Sequence, residues 1–275
     1  MLKHRVITAS VLLVLFLAAL FGLPDAAWAI LVTVVVAQGA VEWTRMAKFA
    51  GREAKLFWWV AVLCMLFLSW FDAYHASGQQ LSLHLSVYSV SALLWFAVVP
   101  AWMMSGRRVE NPWLMALTGW AVLVPTGLAM LDLRVEGPWL LLGMMCLVWV
   151  ADIAAYFSGR SFGKHKLAPN ISPGKTWEGV IGALVSVSII VVAGWYFSPY
   201  STGRFALFPA LLIASWCWVA LAVVGDLFES LIKRQAGLKD SGTLLPGHGG
   251  LLDRIDALTS TLPIAAFALL LQKVH

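Results

Sequence analysis

The chain has 275 residues, of which 61% are hydrophobic and 12% charged, and its formal net charge is +5 at pH 7. Ordinary soluble domains are roughly 25% charged and 45–50% apolar, so too few polar side chains are present here to cover a water-exposed surface. These proportions exclude a soluble globule and a disordered chain. They predict an all-α, polytopic integral membrane protein, and the three widely spaced cysteines exclude a disulfide scaffold.

Long apolar stretches predict the membrane spans, because a spanning helix needs about 20 mainly apolar residues. Nine stretches meet this requirement, and turn-forming or charged residues separate them. They are 6–23, 27–43, 56–74, 82–104, 112–131, 137–157, 178–198, 205–224 and 257–273. We therefore expect residues 1–275 to form a single membrane domain. Its helices carry no motif in residues 1–131, and its catalytic helices and cytoplasmic loops lie in residues 132–275.

The first apolar stretch has some features of a secretion signal. Lys3 and Arg5 precede it, and Ala27-Trp28-Ala29 resembles a signal-peptidase site. The apolar core of a signal peptide has about 7–15 residues, whereas this stretch is longer and a second one follows at once. We expect a retained signal-anchor helix.

Basic residues indicate the orientation, because cytoplasmic loops of membrane proteins are enriched in Lys and Arg. With the N-terminus in the cytoplasm, only Arg134, Arg204 and Lys273 lie outside, and the remaining 16 of the 19 basic residues lie inside. This distribution predicts a cytoplasmic N-terminus and an external C-terminus.

Two long inner loops, predicted at 158–177 and 225–256, hold most of the Gly, Lys, Asp and His outside the apolar stretches. Loops held on a rigid scaffold are frequent positions for binding and catalytic residues. A connection between two helices does not require this composition, so we expect the functional site in these loops.

Three carboxylates of the second loop are candidate metal ligands. Asp253 and Asp256 are three residues apart at the start of the last predicted helix and therefore face the same side, and the loop can bring Asp226 close to them. Neighbouring carboxylates repel unless a cation separates them, and oxygen ligands of this kind suit Mg²⁺. The alternative is that they complement the helix dipole, with Arg254 as an ion-pair partner.

Glycines and cations in the same loop suggest an anion site. Gly249 and Gly250 allow backbone N–H groups to approach a phosphate closely, and Asp240 lies nearby. His248 is a candidate general acid, although a lone histidine is more often structural. The surrounding cations are Lys233, Arg234, Lys239 and Arg254. Binding of anionic lipid would explain these charges, but it would not explain the interleaved glycines and aspartates.

The first loop contains Gly174-Lys175-Thr176, which resembles the end of a P-loop. A P-loop needs a glycine six residues before the lysine, where this chain has Pro169, and we expect no preceding strand. The chain is therefore not a P-loop NTPase. Ser172, Thr176, Lys175 and the N-terminus of the next helix nevertheless form a group that suits phosphate binding, with Pro173 and Gly174 marking the helix start.

A few isolated ionisable residues lie elsewhere. Asp152 falls within the sixth apolar stretch, and an intramembrane carboxylate indicates a functional position; a role in the site and a position at the cytoplasmic helix end both stay open. Glu178 and Glu229 are expected to be caps or ion-pair partners. Asp72 and His75 are expected to be solvated at the outer surface.

The second loop resembles the signature of the phosphatidate cytidylyltransferases in residue order and spacing. The matching residues are Ser230, Lys233, Arg234, Lys239, Asp240, Gly242, Pro246, His248, Gly249, Gly250, Asp253, Arg254 and Asp256. The segment from Ser172 to Thr176, with Glu178 and Gly179, resembles a second hallmark of that family.

This resemblance implies an integral membrane enzyme that makes CDP-diacylglycerol from CTP and phosphatidate and releases pyrophosphate. It also implies Mg²⁺ dependence with K⁺ as a candidate second cation, a homodimer, no nucleic-acid partner, and a bacterial-type inner membrane with the site facing the cytoplasm. Asp226, Asp253 and Asp256 would hold the cations, and Lys175, Lys239 and the glycines near His248 would lie by the nucleotide phosphates.

Two other functions fit parts of the pattern. A transporter or channel would also have many spans, but it usually shows internal repeats and polar residues near the membrane midplane, neither of which is visible here. Another lipid enzyme, such as a lipid kinase or a prenyl-phosphate transferase, would share the carboxylates but not the long signature.

Overall fold

The computed structural model describes residues 2–197, 208–244 and 249–274. These residues form a bundle of helices with one short hairpin of two strands. The helices are α1 (Leu2–Gly22), α2 (Asp25–Met46), α3 (Gly51–Tyr74), α4 (Ser77–Leu93), α5 (Val99–Ser105), α6 (Pro112–Glu136), α7 (Pro138–Phe162), α8 (Trp177–Tyr196), α9 (Phe208–Ala236) and α10 (Leu252–Val274). The strands are β1 (Lys166–Ala168) and β2 (Ser172–Thr176).

Eight helical segments are long and apolar enough to cross a membrane. A π-helical turn, Leu94–Val98, joins α4 to α5, so that Gly78–Ser105 forms one of these spans. In α1 the apolar helix is the shorter segment Thr8–Gly22. The chain thus has the helices of a multi-pass membrane protein, while the count of nine spans and the orientation of the termini stay predictions.

The helices meet at two ends of the bundle. The turn end contains the short connections at 23–24, 75–76 and 137. The loop end contains the longer connections at 47–50, 106–111 and 163–176, together with 237–244 and 249–251. Both regions with predicted functional residues therefore lie at the loop end.

Buried tryptophans fasten α2 to the central helix α6. The indole Nε1 of Trp28 donates to the backbone oxygen of Met130 at 3.1 Å, and that of Trp43 donates to Met115 at 3.0 Å. Both side chains are 2% exposed. Because a buried indole N–H needs an acceptor, these bonds fix the position of α2, which also reaches the loop end.

Arg134 attaches α1 to the same core at the turn end. Its Nε donates to the backbone oxygen of Leu20 at 2.9 Å, and its Nη1 pairs with Asp25 at 2.8 Å. The guanidinium also lies 5.1 Å from the ring centre of Trp28. The arginine that the sequence assigned to the outer side thus satisfies carbonyl groups at the end of α1, where a helix leaves them without partners.

The helices extend further into the predicted loops than expected. We predicted loops at 158–177 and 225–256, but α7 continues to Phe162 and α9 to Ala236. Asp226, Ser230 and Lys233 are therefore helical, at the i, i+4 and i+7 spacing that places them on one face. A prediction from apolar stretches places the helix end at the first charged residue. The helix itself continues, because the charged residues have partners inside the bundle.

The hairpin is the one departure from the all-α prediction within the described ranges. Its strands are antiparallel and pair Lys166 with Thr176 and Ala168 with Ser172. Gly174-Lys175-Thr176 therefore belongs to a strand that another strand precedes, and the expectation of no preceding strand was wrong. Pro173 and Gly174 also lie within β2 and do not start the helix. Helix α8 starts at Trp177, capped by the Thr176 hydroxyl, which accepts the N–H of Gly179 at 3.2 Å.

Candidate active site at the loop end

Helices α9 and α10 bring a buried lysine between two carboxylates. The Nζ of Lys233 lies 3.1 Å from Oε1 of Glu229 and 2.6 Å from Oδ1 of Asp253. Lys233 is 7% exposed and Glu229 is 6% exposed. Buried charges are stable only when they are paired and hydrogen-bonded. Of the two roles expected for Glu229, a cap or an ion-pair partner, the structure shows the ion pair. Lys233 also holds Asp253 against α9.

Backbone N–H groups fix the other oxygen of Asp253. Its Oδ2 accepts from the N–H groups of Gly250 at 2.8 Å and Ser241 at 2.9 Å. Gly249 has a φ of +84°, and a Cβ there would lie 2.6 Å from this oxygen. A larger residue at Gly249 would therefore be strained by its backbone and would displace the carboxylate.

A second ion pair joins the hairpin to α9. The Nζ of Lys175 in β2 lies 2.5 Å from Oδ2 of Asp226, and the hydroxyl of Ser230 donates to Oδ1 at 3.4 Å. Asp152 of α7 is close enough to interact electrostatically with both Asp226 and Lys175. The hairpin, α7 and α9 thus converge on one group of charges, which is continuous with the α9–α10 group.

Asp256 lies next to two further acids of this cluster. Its Oδ1 accepts the N–H of Ala257 at 2.8 Å, and its charge interacts with those of Asp226 and Glu229. The cluster as a whole has five carboxyl groups and two ammonium groups, a formal excess of three negative charges when every group is ionised. They are Asp152, Asp226, Glu229, Asp253 and Asp256, against Lys175 and Lys233.

This donor set fits a hard divalent cation, because an excess of carboxylates at short range is stabilised by positive charge. The ligands are not preassembled, however. In the described part of the chain, Asp226, Asp253 and Asp256 do not form a group with one ligand oxygen from each within 4.8 Å. Oxygens of Asp226 and Asp253 are paired with lysines instead. A cation that used those oxygens would displace or share the ammonium groups.

The other predicted site residues lie around this cluster. Arg234, Lys239, Asp240 and Arg254 are exposed at the loop end, and Arg234 donates to the backbone oxygen of Leu238 at 3.2 Å. Ser172 and Gly174 lie in β2 beside Lys175, whereas His248 lies outside the described residues. These cationic side chains are in contact with solvent, in contrast to the buried Lys233.

The sequence analysis missed Glu42, which α2 inserts into the loop end. Glu42 is 1% exposed, and its carboxylate accepts the N–H groups of Leu251 and Leu252, each at 2.8 Å. It also accepts the hydroxyl of Ser241 at 2.8 Å. An available signal was the position of this acid within an apolar stretch, the same argument that identified Asp152.

A separate polar cluster lies at the turn end, where α3, α4 and α6 meet. The ring nitrogens of His84 lie 2.8 Å from Asp72 and 3.0 Å from Asp132, and the hydroxyl of Tyr88 donates to Asp132 at 2.7 Å. The expectation that Asp72 is simply solvated was wrong, because its partner comes from another helix. The cluster borders a cavity of about 520 Å³.

Comparison with known proteins identifies the family. The sequence pattern of the cytidylyltransferase family matches residues 3–272. The chain belongs to the cytidylyltransferase family. Two phosphatidate cytidylyltransferases are similar over almost their whole length. That of Haemophilus influenzae is 37% identical over 282 residues, covering 97% of this chain and 98% of the relative. That of Pseudomonas aeruginosa is 41% identical over 269 residues, covering 97% and 96%.

A shorter match has a higher identity. A phosphatidate cytidylyltransferase of Brucella suis is 47% identical over 129 residues, which cover 46% of this chain and 43% of that protein. The predicted resemblance to the phosphatidate cytidylyltransferases is confirmed, as is the prediction of a nucleotidyltransferase. The family match also includes the N-terminal helices, which contain Glu42 and no motif visible in the sequence.

Proposed function

We propose that this cytidylyltransferase transfers CMP from CTP to phosphatidate, producing CDP-diacylglycerol and pyrophosphate for phospholipid synthesis. The observation that supports it best is the acid-rich cluster at the loop end of an apolar helical bundle, in a chain similar along its length to phosphatidate cytidylyltransferases. Such a position allows a water-soluble nucleotide and a membrane lipid to reach the same residues. Non-helical backbone at membrane depth is stable only where it lines a polar cavity.

The reaction needs no nucleophile from the protein. A phosphate oxygen of phosphatidate forms a bond to the α-phosphorus of CTP while the bond to the pyrophosphate oxygen breaks. Both reactants are anions, so the site must reduce their repulsion and stabilise the charge that develops on pyrophosphate. Binding of both phosphates therefore requires cationic groups next to the cluster.

Asp226, Asp253 and Asp256 would hold Mg²⁺, with K⁺ as a candidate second cation. When bound, Mg²⁺ supplies neutralisation of the phosphate charge and of the leaving group. Support comes from the excess of carboxyl groups over lysines in the cluster and from the electrostatic interaction of Asp256 with Asp226. Lys175 and Lys233 would keep Asp226 and Asp253 oriented when the cation site is formed.

Nucleotide binding would use the exposed groups around the cluster. Arg234, Lys239 and Arg254 are exposed, and each can approach a triphosphate from solution. Lys239 and His248 are proposed as further catalytic groups. The remaining proposed nucleotide contacts are Ser172, Gly174, Lys175, Thr176, Lys233, Asp240, Gly249 and Gly250.

The proposed cellular arrangement follows from the substrates. CTP is cytoplasmic, so the loop end would face the cytoplasm of a bacterial-type inner membrane, with the N-terminus inside and the C-terminus outside. Arg134 and Lys273 lie at the turn end, in agreement with an external face poor in basic residues. We also propose a homodimer. A reporter fused after His275 that is active only in the cytoplasm would contradict this orientation.

A direct assay tests the function. Purified protein would be incubated with labelled CTP, phosphatidate and Mg²⁺, and the lipid fraction analysed for labelled CDP-diacylglycerol. Reactions without phosphatidate, and with EDTA in excess over Mg²⁺, are the controls. We expect labelled lipid only in the complete reaction. If no CMP becomes attached to lipid with folded protein, the proposed reaction is wrong.

A further inference from the structure

Four donors surround the buried carboxylate of Glu42. Its Oε1 accepts from the side-chain amide of Gln38 at 3.0 Å and from the N–H of Leu251 at 2.8 Å. Its Oε2 accepts from the N–H of Leu252 and from the hydroxyl of Ser241, each at 2.8 Å. A carboxylate with this many charge-assisted bonds is held in one place.

This carboxylate occupies the start of α10. The first N–H groups of a helix have no partner inside it, and the helix dipole favours an anion there. Such a position commonly binds a phosphate. Here the anion is a side chain from α2, so the N–H groups of Leu251 and Leu252 are already used before any nucleotide binds.

The glycine-rich loop is shaped around the same side chain. A Cβ at Gly242 would lie 2.9 Å from Oε1 of Glu42, and a Cβ at Gly250 would overlap Oε2 and the hydroxyl of Ser241. These two glycines allow the backbone to close on the carboxylate. Part of the glycine content of the loop is therefore explained by an internal anion.

Ser241 and its neighbours connect Glu42 to Asp253. The hydroxyl of Ser241 donates to Glu42, while its backbone N–H donates to Asp253 at 2.9 Å. Gly250, which packs on Glu42, also donates its N–H to Asp253 at 2.8 Å. The same short backbone segments thus hold one carboxylate on each side.

We infer that Glu42 is a positioning residue for the reaction: it fixes the loop around Ser241 and Gly250, and through that loop it sets the orientation of Asp253 in the cation and nucleotide site. This inference rests on the proposed function. The inference assigns a role to the N-terminal helices. Helix α2 is held against α6 through Trp28 and Trp43, and it therefore holds Glu42 in a fixed position beside the loop.

The test is the substitution Glu42→Gln in the full-length protein. The amide has the size of the carboxylate but lacks its charge, and its NH₂ group faces donors. We expect the half-saturating Mg²⁺ concentration and the KM for CTP to rise by about 10- to 100-fold, the range for loss of an outer-shell partner of a metal ligand. The KM for phosphatidate should rise less, because burial of its apolar chains contributes to lipid binding independently of the cation.

Two more variants make the result specific. Ser241→Ala removes the hydroxyl bond but keeps the backbone N–H to Asp253, so we expect a smaller shift in the same direction. Glu53→Gln changes an exposed glutamate in the first turn of α3 and should leave all three constants unchanged. Glu42→Asp retains the charge on a shorter side chain and should restore part of the Mg²⁺ affinity that Glu42→Gln loses.

The outcomes separate this inference from the proposed function. A lower melting temperature for Glu42→Gln with unchanged Mg²⁺ and CTP dependence would show a structural cap only, and would overturn the positioning role. If Glu42→Gln does not fold, an unchanged Mg²⁺ dependence for Ser241→Ala would overturn it equally. A wild-type protein that makes no CDP-diacylglycerol would instead defeat the proposed function, and one that makes it without a divalent cation would defeat the proposed cation site.

Discussion

The two polar clusters of the bundle differ in how their charges are balanced. At the turn end, His84 lies between Asp72 and Asp132, and Tyr88 donates to Asp132. At the loop end, five carboxylates share two lysines. The first cluster has a donor for each carboxylate and ties three helices together. The second has a charge excess that an additional cation would relieve. The turn-end cluster has two carboxylates around one histidine, so the clusters differ in the size of the carboxylate excess and in the number of helices and strands that supply it.

The largest expected effect is on catalysis at the loop end. Asp253→Asn should lower CMP transfer by about two to three orders of magnitude, comparable to loss of one preorganised electrostatic group in an active site. The amide keeps the shape but not the charge that Lys233 and the proposed cation require. Activity would be measured per folded protein, by labelled CDP-diacylglycerol.

Asp132→Asn at the turn end is the matched control, because it changes the same type of side chain in a cluster where His84 and Tyr88 donate to the carboxylate. Its turnover per folded protein should stay within about twofold of the wild type, since it lies at the opposite end of the bundle. Near-normal turnover of Asp253→Asn would remove this residue from the proposed cation site.

Lys233→Met tests stability at the loop end. The substitution keeps much of the side-chain volume and leaves Glu229 and Asp253 without their shared cation. Removing one partner of a buried ion pair costs about 3–5 kcal/mol, and we expect a decrease of that size in the free energy of unfolding. Denaturant titration in detergent would measure it, and a decrease below about 1 kcal/mol would mean that the pair is effectively solvated.

His84→Ala tests the turn end. It leaves Asp72 and Asp132 without the imidazole, and an unsatisfied buried polar group costs about 1–3 kcal/mol. Asp72 and Asp132 are only partly buried, with side chains 30% and 17% exposed, so we expect the lower part of this range and unchanged kcat. A loss of kcat at full stability would show that the turn-end cluster takes part in function.

Thr176→Val should have the smallest effect. It removes the hydroxyl that caps α8, which costs about 1 kcal/mol. If this hydroxyl also donates to CTP, the KM for CTP should rise several-fold, and Thr176→Ser should restore both properties. Parallel unfolding and kinetic measurements decide: a stability change without a KM change would limit Thr176 to capping.

Much of the fold was predictable because apolar runs of spanning length are local features. The helix centres and the low charge of the turn end follow from them. The helix boundaries at the loop end were not predictable. The apolar stretch ends before Asp226, but helix α9 continues through Asp226 and Lys233, because these residues pair with Lys175 of β2 and Asp253 of α10. The hairpin was missed for a similar reason: Pro173 and Gly174 are typical of turns, and only pairing with β1 places them in a strand.

The candidate site was partly visible in the sequence. Asp253, Asp256, the glycines and the surrounding cations form a long pattern within one segment, which suffices to identify a family by resemblance. Glu42 lies about 200 residues away in an apolar helix, and its bonds to Ser241 and Leu252 span 199 and 210 positions. No local pattern can show such a contact.

By itself, the sequence determined that this is a membrane protein, that the candidate site residues lie in two segments, and which family the chain resembles. Composition, hydropathy and motif spacing can all be read along the chain. Only the tertiary structure decided which charges are partners. In the structure, Lys233 pairs with Glu229 and Asp253, and Lys175 pairs with Asp226. The carboxylate of Glu42 binds the N–H groups at the start of α10. The physical reason is that, in an apolar interior, the stability of a charge depends on its nearest counter-charge in space, and chain separation does not predict that neighbour.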